Sequence, residues 1–217
     1  MYNNIKDYCQ STETTLVAVS KTKPISAIQT IYDQGQRIFG ENRVEELIEK
    51  RSELPDNIEW HFIGTLQTKK VKKLIPHADL IHSVDSQKLL EEINKRSEIA
   101  DVQTHILLQP KIAKEESKHG LQGEELDNLL NGIASGQYPN IVLRGLMGMA
   151  TFTDDQSIIK AEFDTLKAYY DQYQQLENLA QFDTLSMGMS GDYKLAIECG
   201  STMVRVGSLI FGSRNYD

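Results

Sequence analysis

Eight short apolar runs, each followed by a segment with helical spacing, leave this chain few folds to adopt. The runs are TTLVAVSK, RIFGEN, EWHFIG, DLIHSVDS, THILLQP, NIVLRGLMGMA, DTLSMGMS and MVRVGSLIFG. Between them, apolar residues recur every three or four positions, as in Ile25, Ile28, Ile31 and Tyr32, or Leu126, Leu129, Leu130 and Ile133. That spacing puts them on one face of a helix. A two-turn helix is expected before the first run, in NNIKDYC. The longest helix is expected from about Asp155 to Ala180, carrying Ile159, Phe163, Leu166, Tyr170, Tyr173 and Leu176 inward. Strands separated by helices pair in parallel through right-handed crossovers. Eight such units in 217 residues match the lower size range of a (β/α)8 TIM barrel, roughly 200 to 250 residues. An open doubly wound sheet is the competing arrangement; the strand count favours closure. No linker or repeat interrupts the pattern, so residues 1–217 read as a single domain.

Composition narrows the function. The net charge of −8 repels a phosphate backbone, which argues against nucleic acid. Lys69, Lys70, Lys72 and Lys73 form a local basic run, read as a solvated helix face. No stretch has the ~20 apolar residues of a membrane span, and MYNNIKDYCQSTETT has neither a signal-peptide core nor transit-peptide composition. Cys9 and Cys199 stand alone, without metal-ligand spacing, and read as reduced thiols of a cytoplasmic protein. His77, His82, His105 and His119 show no metal motif, so no metal site is expected.

In a parallel barrel the residues just after each strand gather at one end. Here these include Ser20, Lys21 and Lys23 after strand one, Glu41 and Asn42 after strand two, and His61 near the end of strand three. Met187 to Gly191 follow strand seven, and Arg205, Gly207 and Ser208 lie on or after strand eight. Glycines let backbone N–H groups approach an anion, and Ser190 and Ser208 add hydroxyl donors. The loops after strands seven and eight therefore read either as a phosphate site or as plain tight turns. A neutral Lys21 amine beside a phosphate site would form a Schiff base with a phosphorylated aldehyde such as pyridoxal 5′-phosphate. The alternative is a solvated or salt-bridged lysine. Arg205, a charge inside an apolar strand, must have a partner. That partner is either a carboxylate or a ligand atom such as a pyridine nitrogen, which a guanidinium would keep unprotonated.

Taken in order, VAVSKTKP, FGENRVEE, WHFIGTLQTKK, IHSVDS, EESKHGL, GLMGMAT, LSMGMSGDY and GSTMVRVGSLIFGSR resemble the motifs of the pyridoxal phosphate homeostasis family. The resemblance runs from about Leu16 to Arg214. It implies a fold-type III barrel like the N-terminal domain of alanine racemase. Lys21 matches the Schiff-base lysine, and Arg205 the arginine facing the pyridine nitrogen. Met189, Ser190, Gly191, Gly207 and Ser208 match the phosphate contacts. Asn42 and His61 match polar residues near the cofactor. Lys69, Pro110 and Lys111 depart from the family pattern. The implied role is reversible holding of pyridoxal phosphate in intracellular vitamin B6 homeostasis, by a monomer without a catalytic residue. Enzymes that require the cofactor are the implied partners. Two other readings stand beside it. One is a weak amino-acid racemase using Lys21, Lys23, His61 or Tyr193 as proton carriers. The other is a barrel that binds another phosphorylated metabolite non-covalently.

Overall fold

The computed structural model describes residues 1–113, 120–176, 178–179 and 181–212. Eight parallel strands close on themselves in chain order: β1 (Thr15–Val19), β2 (Ile38–Glu41), β3 (Glu59–Phe62), β4 (Leu80–Val84), β5 (Thr104–Leu108), β6 (Ile141–Met147), β7 (Thr184–Ser186) and β8 (Met203–Val206). Closure comes from pairing of β8 with β1, in the register Val17↔Arg205 and Ala18↔Val206. The open-sheet alternative is thereby excluded. Helices α1 (Tyr2–Ser11), α2 (Ile25–Asp33), α3 (Val44–Glu53), α4 (Val71–Leu74), α5 (Gln87–Ala100), α6 (Gly123–Ala134), α7 (Gln156–Gln174), α8 (Tyr193–Glu198) and α9 (Ser208–Phe211) surround it.

Side chains alternate across each strand. Leu16, Ala18, Phe39, Trp60, Phe62, Ile81 and Val204 join the large apolar layer between strands and helices. Val17, Leu80, Leu107, Met147 and Met203 form a separate cluster, the filling of the barrel lumen. The tyrosines of α7 belong to the outer layer, where Tyr170 stacks on Phe182 at 5.2 Å. Lys69, Lys72 and Lys73 are exposed, as expected of a solvated face.

Three boundaries differ from the sequence-based expectation. The apolar run GSLIFG does not continue β8; it breaks at Gly207 and winds into α9. The leading helix is longer than two turns, burying Tyr2, Ile5 and Cys9 on one face. Helix α7 ends at Gln174 rather than near 180. Among the described residues no helix is long and apolar enough to cross a membrane.

Candidate functional site at the carboxyl end of the barrel

Strand β1 ends in a four-residue turn closed by the Lys23 N–H donating to the Ser20 carbonyl at 3.0 Å. Thr22 sits in it at φ +64°. A β-branched residue rarely adopts that conformation, so the surroundings must hold it there. They do so from outside the barrel. Lys50 of α3, 4 % exposed, donates to the Ser20 carbonyl (2.8 Å), Glu41 Oε1 (2.7 Å) and Glu46 Oε1 (2.6 Å). The Ser20 hydroxyl donates to Glu41 Oε1, and the Thr22 N–H donates to Glu46 Oε1. Both residues flanking Lys21 are thus pinned by one ionic cluster centred on the buried Lys50. Lys21 itself is half-buried at the rim. Burial dominates Glu41 and pushes its carboxyl up to about 7, against the opposing pull of Lys50 and Ser20.

Lys23 is drawn elsewhere. Its Nζ donates to the Phe211 carbonyl at 3.0 Å, tying the β1 turn to the segment after β8. Gly207 lies on the same seam. A Cβ on it would stand 3.2 Å from both Val19 Cβ and the Val19 carbonyl oxygen, so β1 and β8 approach too closely there for a side chain without a shift.

Arg205 is 4 % exposed inside the lumen. It has no carboxylate partner among the described residues. Its Nη1 donates to Ser186 Oγ at 2.6 Å and its Nη2 to the Gly148 carbonyl at 3.1 Å. Burial lowers its pKa to about 10, and it remains a cation at neutral pH. The structural ion pair open on sequence grounds is therefore absent among the described residues. A buried guanidinium held only by neutral acceptors is an unfavourable arrangement that an acceptor from a ligand would relieve.

The loops after β7 and β8 meet beside it. The Gly207 N–H donates to Ser190 Oγ at 3.2 Å, and the Met189 N–H to Asp192 Oδ1. The N–H groups of Ser190, Gly191, Ser208 and Leu209 donate to no other described residue. Gly191 and Ser208 are exposed, Met189 is 37 % exposed, and Ser190 and Gly207 are half-buried. Four uncommitted amides and two hydroxyls on adjacent loops fit an anion.

Asn42 follows β2, and its Oδ1 is buried without a hydrogen-bond partner among the described residues. A Cβ on Gly64 would come within 2.3 Å of the Asn42 carbonyl oxygen, so glycine is what lets the β3 loop close over Asn42. His61 lies deeper than the rim. It is fully buried, with Nε2 at 2.8 Å from Glu59 and Nδ1 at 2.9 Å from His82. Both of its ring nitrogens are engaged by protein groups. Ser186 and Lys50 did not stand out in the sequence as parts of a site, and His82, which follows the expected fourth strand, reads there as a histidine without a metal motif. None of the three sits in a spacing that by itself marks a site, and their contacts span 4 to 104 residues. His119 and most of EESKHGL lie outside the described residues, as do Ser213 and Arg214. No metal-binding group of histidine, cysteine or carboxylate side chains occurs among the described residues, and both cysteines are free.

Four features thus lie toward one barrel end: a rim lysine in a braced turn, a buried cation with no carboxylate partner among the described residues, an orphaned acceptor, and two adjacent loops with uncommitted amides. Comparison with known proteins finds the same barrel. Residues 1–215 match the alanine racemase, N-terminal domain family. A pyridoxal phosphate homeostasis protein of Haemophilus influenzae is 43 % identical over 204 residues, which cover 93 % of this chain and 85 % of that one. PipY of Synechococcus elongatus, solved with PLP bound, is 36 % identical with a TM-score of 0.84, over 92 % of this chain and 93 % of that one. Alanine racemase from Bartonella henselae shares the fold at 18 % identity and a TM-score of 0.74; 97 % of this chain matches only 57 % of that enzyme. On sequence and on fold together, the chain belongs to the pyridoxal phosphate homeostasis family, whose scaffold is the N-terminal barrel of alanine racemase.

Proposed function

We propose that this protein binds pyridoxal 5′-phosphate and serves cytoplasmic vitamin B6 homeostasis by holding the cofactor reversibly and releasing it. The cofactor supplies an aldehyde that a neutral amine attacks reversibly. Lys21 is the residue assigned that amine. The observation that carries the reading is Arg205: a buried cation without an anion of its own, on the strand that joins the lysine's strand to the cradle. A guanidinium donates only, so it suits an unprotonated pyridine nitrogen. Such a ring is a weak electron sink, which fits storage better than carbanion chemistry. The backbone and hydroxyls of Met189, Ser190, Gly191, Gly207 and Ser208 would hold the phosphate. Asn42 Oδ1 would accept a hydroxyl hydrogen, and His61 would act through its neighbours.

Holding rather than turning over amino acids is the reading supported by the proton carriers a racemase would need. General acid–base catalysis requires groups within reach of substrate on both faces. Lys23 is tethered to Phe211, His61 is engaged at both ring nitrogens, and Tyr193 packs edge-on against Tyr8 of α1. Burial raises the Tyr193 pKa above its ordinary value. A monomer that hands the cofactor to enzymes requiring it follows from this reading. The test is to incubate the loaded protein with single L- and D-amino acids and follow chirality. No racemisation beyond that of free cofactor is expected. Racemisation above that level and lost in Lys21→Ala would replace the carrier with an enzyme.

A further inference from the structure

A chain of hydrogen bonds runs through the barrel from one end to the other. Arg205 Nη1 lies 2.6 Å from Ser186 Oγ, and Ser186 Oγ lies 3.2 Å from His82 Nδ1. His82 Nε2 lies 2.9 Å from His61 Nδ1, and His61 Nε2 lies 2.8 Å from Glu59 Oε1. Ser186, His82 and His61 are buried. Glu59 opens β3 at the opposite end of the barrel from Lys21, and half of its side chain is exposed.

With both rings neutral, the direction of every link follows from the two ends. A guanidinium has no acceptor, so Ser186 Oγ must accept from Arg205. The Ser186 hydroxyl hydrogen is then left to donate to His82 Nδ1. A neutral imidazole that accepts at Nδ1 carries its hydrogen on Nε2, so His82 donates to His61 Nδ1. By the same rule His61 donates from Nε2 to Glu59, whose carboxylate only accepts. One tautomer set satisfies all five groups, and reversing any link leaves two donors or two acceptors facing each other. Burial, with the nearby His61 and Arg205, holds the His82 pKa well below the ordinary range, in keeping with a neutral ring.

We propose that Ser186, His82, His61 and Glu59 form a one-way hydrogen-bond string that positions the Arg205 guanidinium, making Glu59 a remote positioning residue for the ligand-facing cation. Five linked groups restrict one another's rotation more than separate pairs would. The string anchors the Ser186 oxygen, which fixes Nη1; the Gly148 carbonyl fixes Nη2. The inference deepens the cofactor-holding role and rests on it only for what Arg205 faces.

The apo-protein supplies the first test, independent of any cofactor. Proton–nitrogen correlation spectra of the histidine rings near neutral pH should show His61 and His82 both neutral with hydrogen on Nε2. Finding hydrogen on His82 Nδ1 would overturn the string. The second test uses Glu59→Leu, which removes the terminal acceptor at a half-exposed site, and Glu59→Gln, which keeps a carbonyl acceptor. Glu59→Leu should shift the ring signals of His82 and the guanidinium signals of Arg205, neither of which Glu59 touches. In the pyridoxal 5′-phosphate-loaded protein it should shift the visible absorption band and weaken affinity about two- to tenfold, as expected of coupled residues. Glu59→Gln should restore both. Unmoved His82 and Arg205 signals in Glu59→Leu would refute the coupling. A normal apo tautomer set with no adduct on Lys21 would leave the string standing and remove the cofactor-holding role instead.

Discussion

Glu41→Gln should abolish one specific part of the pH dependence of stability. Glu41 is fully buried, and burial raises its carboxyl from an ordinary 4.5 to about 7. A raised acid binds a proton more tightly in the folded state than in the unfolded one. Its contribution is therefore fully present below about pH 4.5 and lost as the pH rises through about 7. The displacement corresponds to about 3 kcal/mol, of which about 2.5 kcal/mol disappears between pH 5 and pH 8. Glutamine keeps an oxygen for Lys50 and Ser20 but does not titrate. His82 acts with the opposite sign: its depressed pKa adds stability as the pH rises through the ordinary histidine range. That term is common to both proteins and cancels in their difference. Urea unfolding of the apo-protein and its variant at several pH values measures the difference directly. The wild type should lose about 2.5 kcal/mol relative to Glu41→Gln from pH 5 to pH 8. Parallel pH profiles would refute the assignment of the raised acid to Glu41. Because the same cluster grips Ser20 and Thr22, the variant also reports whether the Lys21 turn depends on it.

Other outcomes follow from the same geometry. Arg205→Gln should change the visible spectrum of the loaded protein while leaving the melting temperature of the apo-protein unchanged or raised, since it removes a buried cation that has no carboxylate partner; a large loss of apo stability would make Arg205 a structural residue. Ser190→Ala combined with Ser208→Ala should weaken binding of pyridoxal 5′-phosphate by about tenfold, near 1.4 kcal/mol, with little effect on unphosphorylated pyridoxal; equal losses for both would move the phosphate elsewhere. Gly207→Ala should lower stability by about 1–3 kcal/mol in denaturant titration by forcing β1 and β8 apart at Val19; an unchanged midpoint would mean that the seam yields freely.

The barrel was legible because each strand switches to a helix within a few residues, and the hydrophobic period switches with it. The end of β8 was not. GSLIFG is a short apolar run, and such a run reads equally as a strand or a buried helical turn. Lys21, Arg205 and the two glycine–serine loops stood out in sequence because charge and backbone freedom interrupt apolar strands there. What holds them was invisible. The Lys50 cluster joins α3 to β1 and β2, and the histidine string joins four strands; no local spacing encodes either. His61 shows the limit most clearly. The sequence offered it as a polar residue at the cofactor, whereas its contacts bind it to Glu59 and His82 inside the lumen.

The central claim is that an amine from the first strand and a cradle from the last two hold one B6 molecule. Borohydride reduction of the protein mixed with pyridoxal 5′-phosphate, followed by peptide mass spectrometry, tests it most directly. A single pyridoxyl mass addition on Lys21, absent from Lys21→Ala, is the expected result. Trapping at Lys23 or at scattered surface lysines, with Lys21 unmodified, would contradict it.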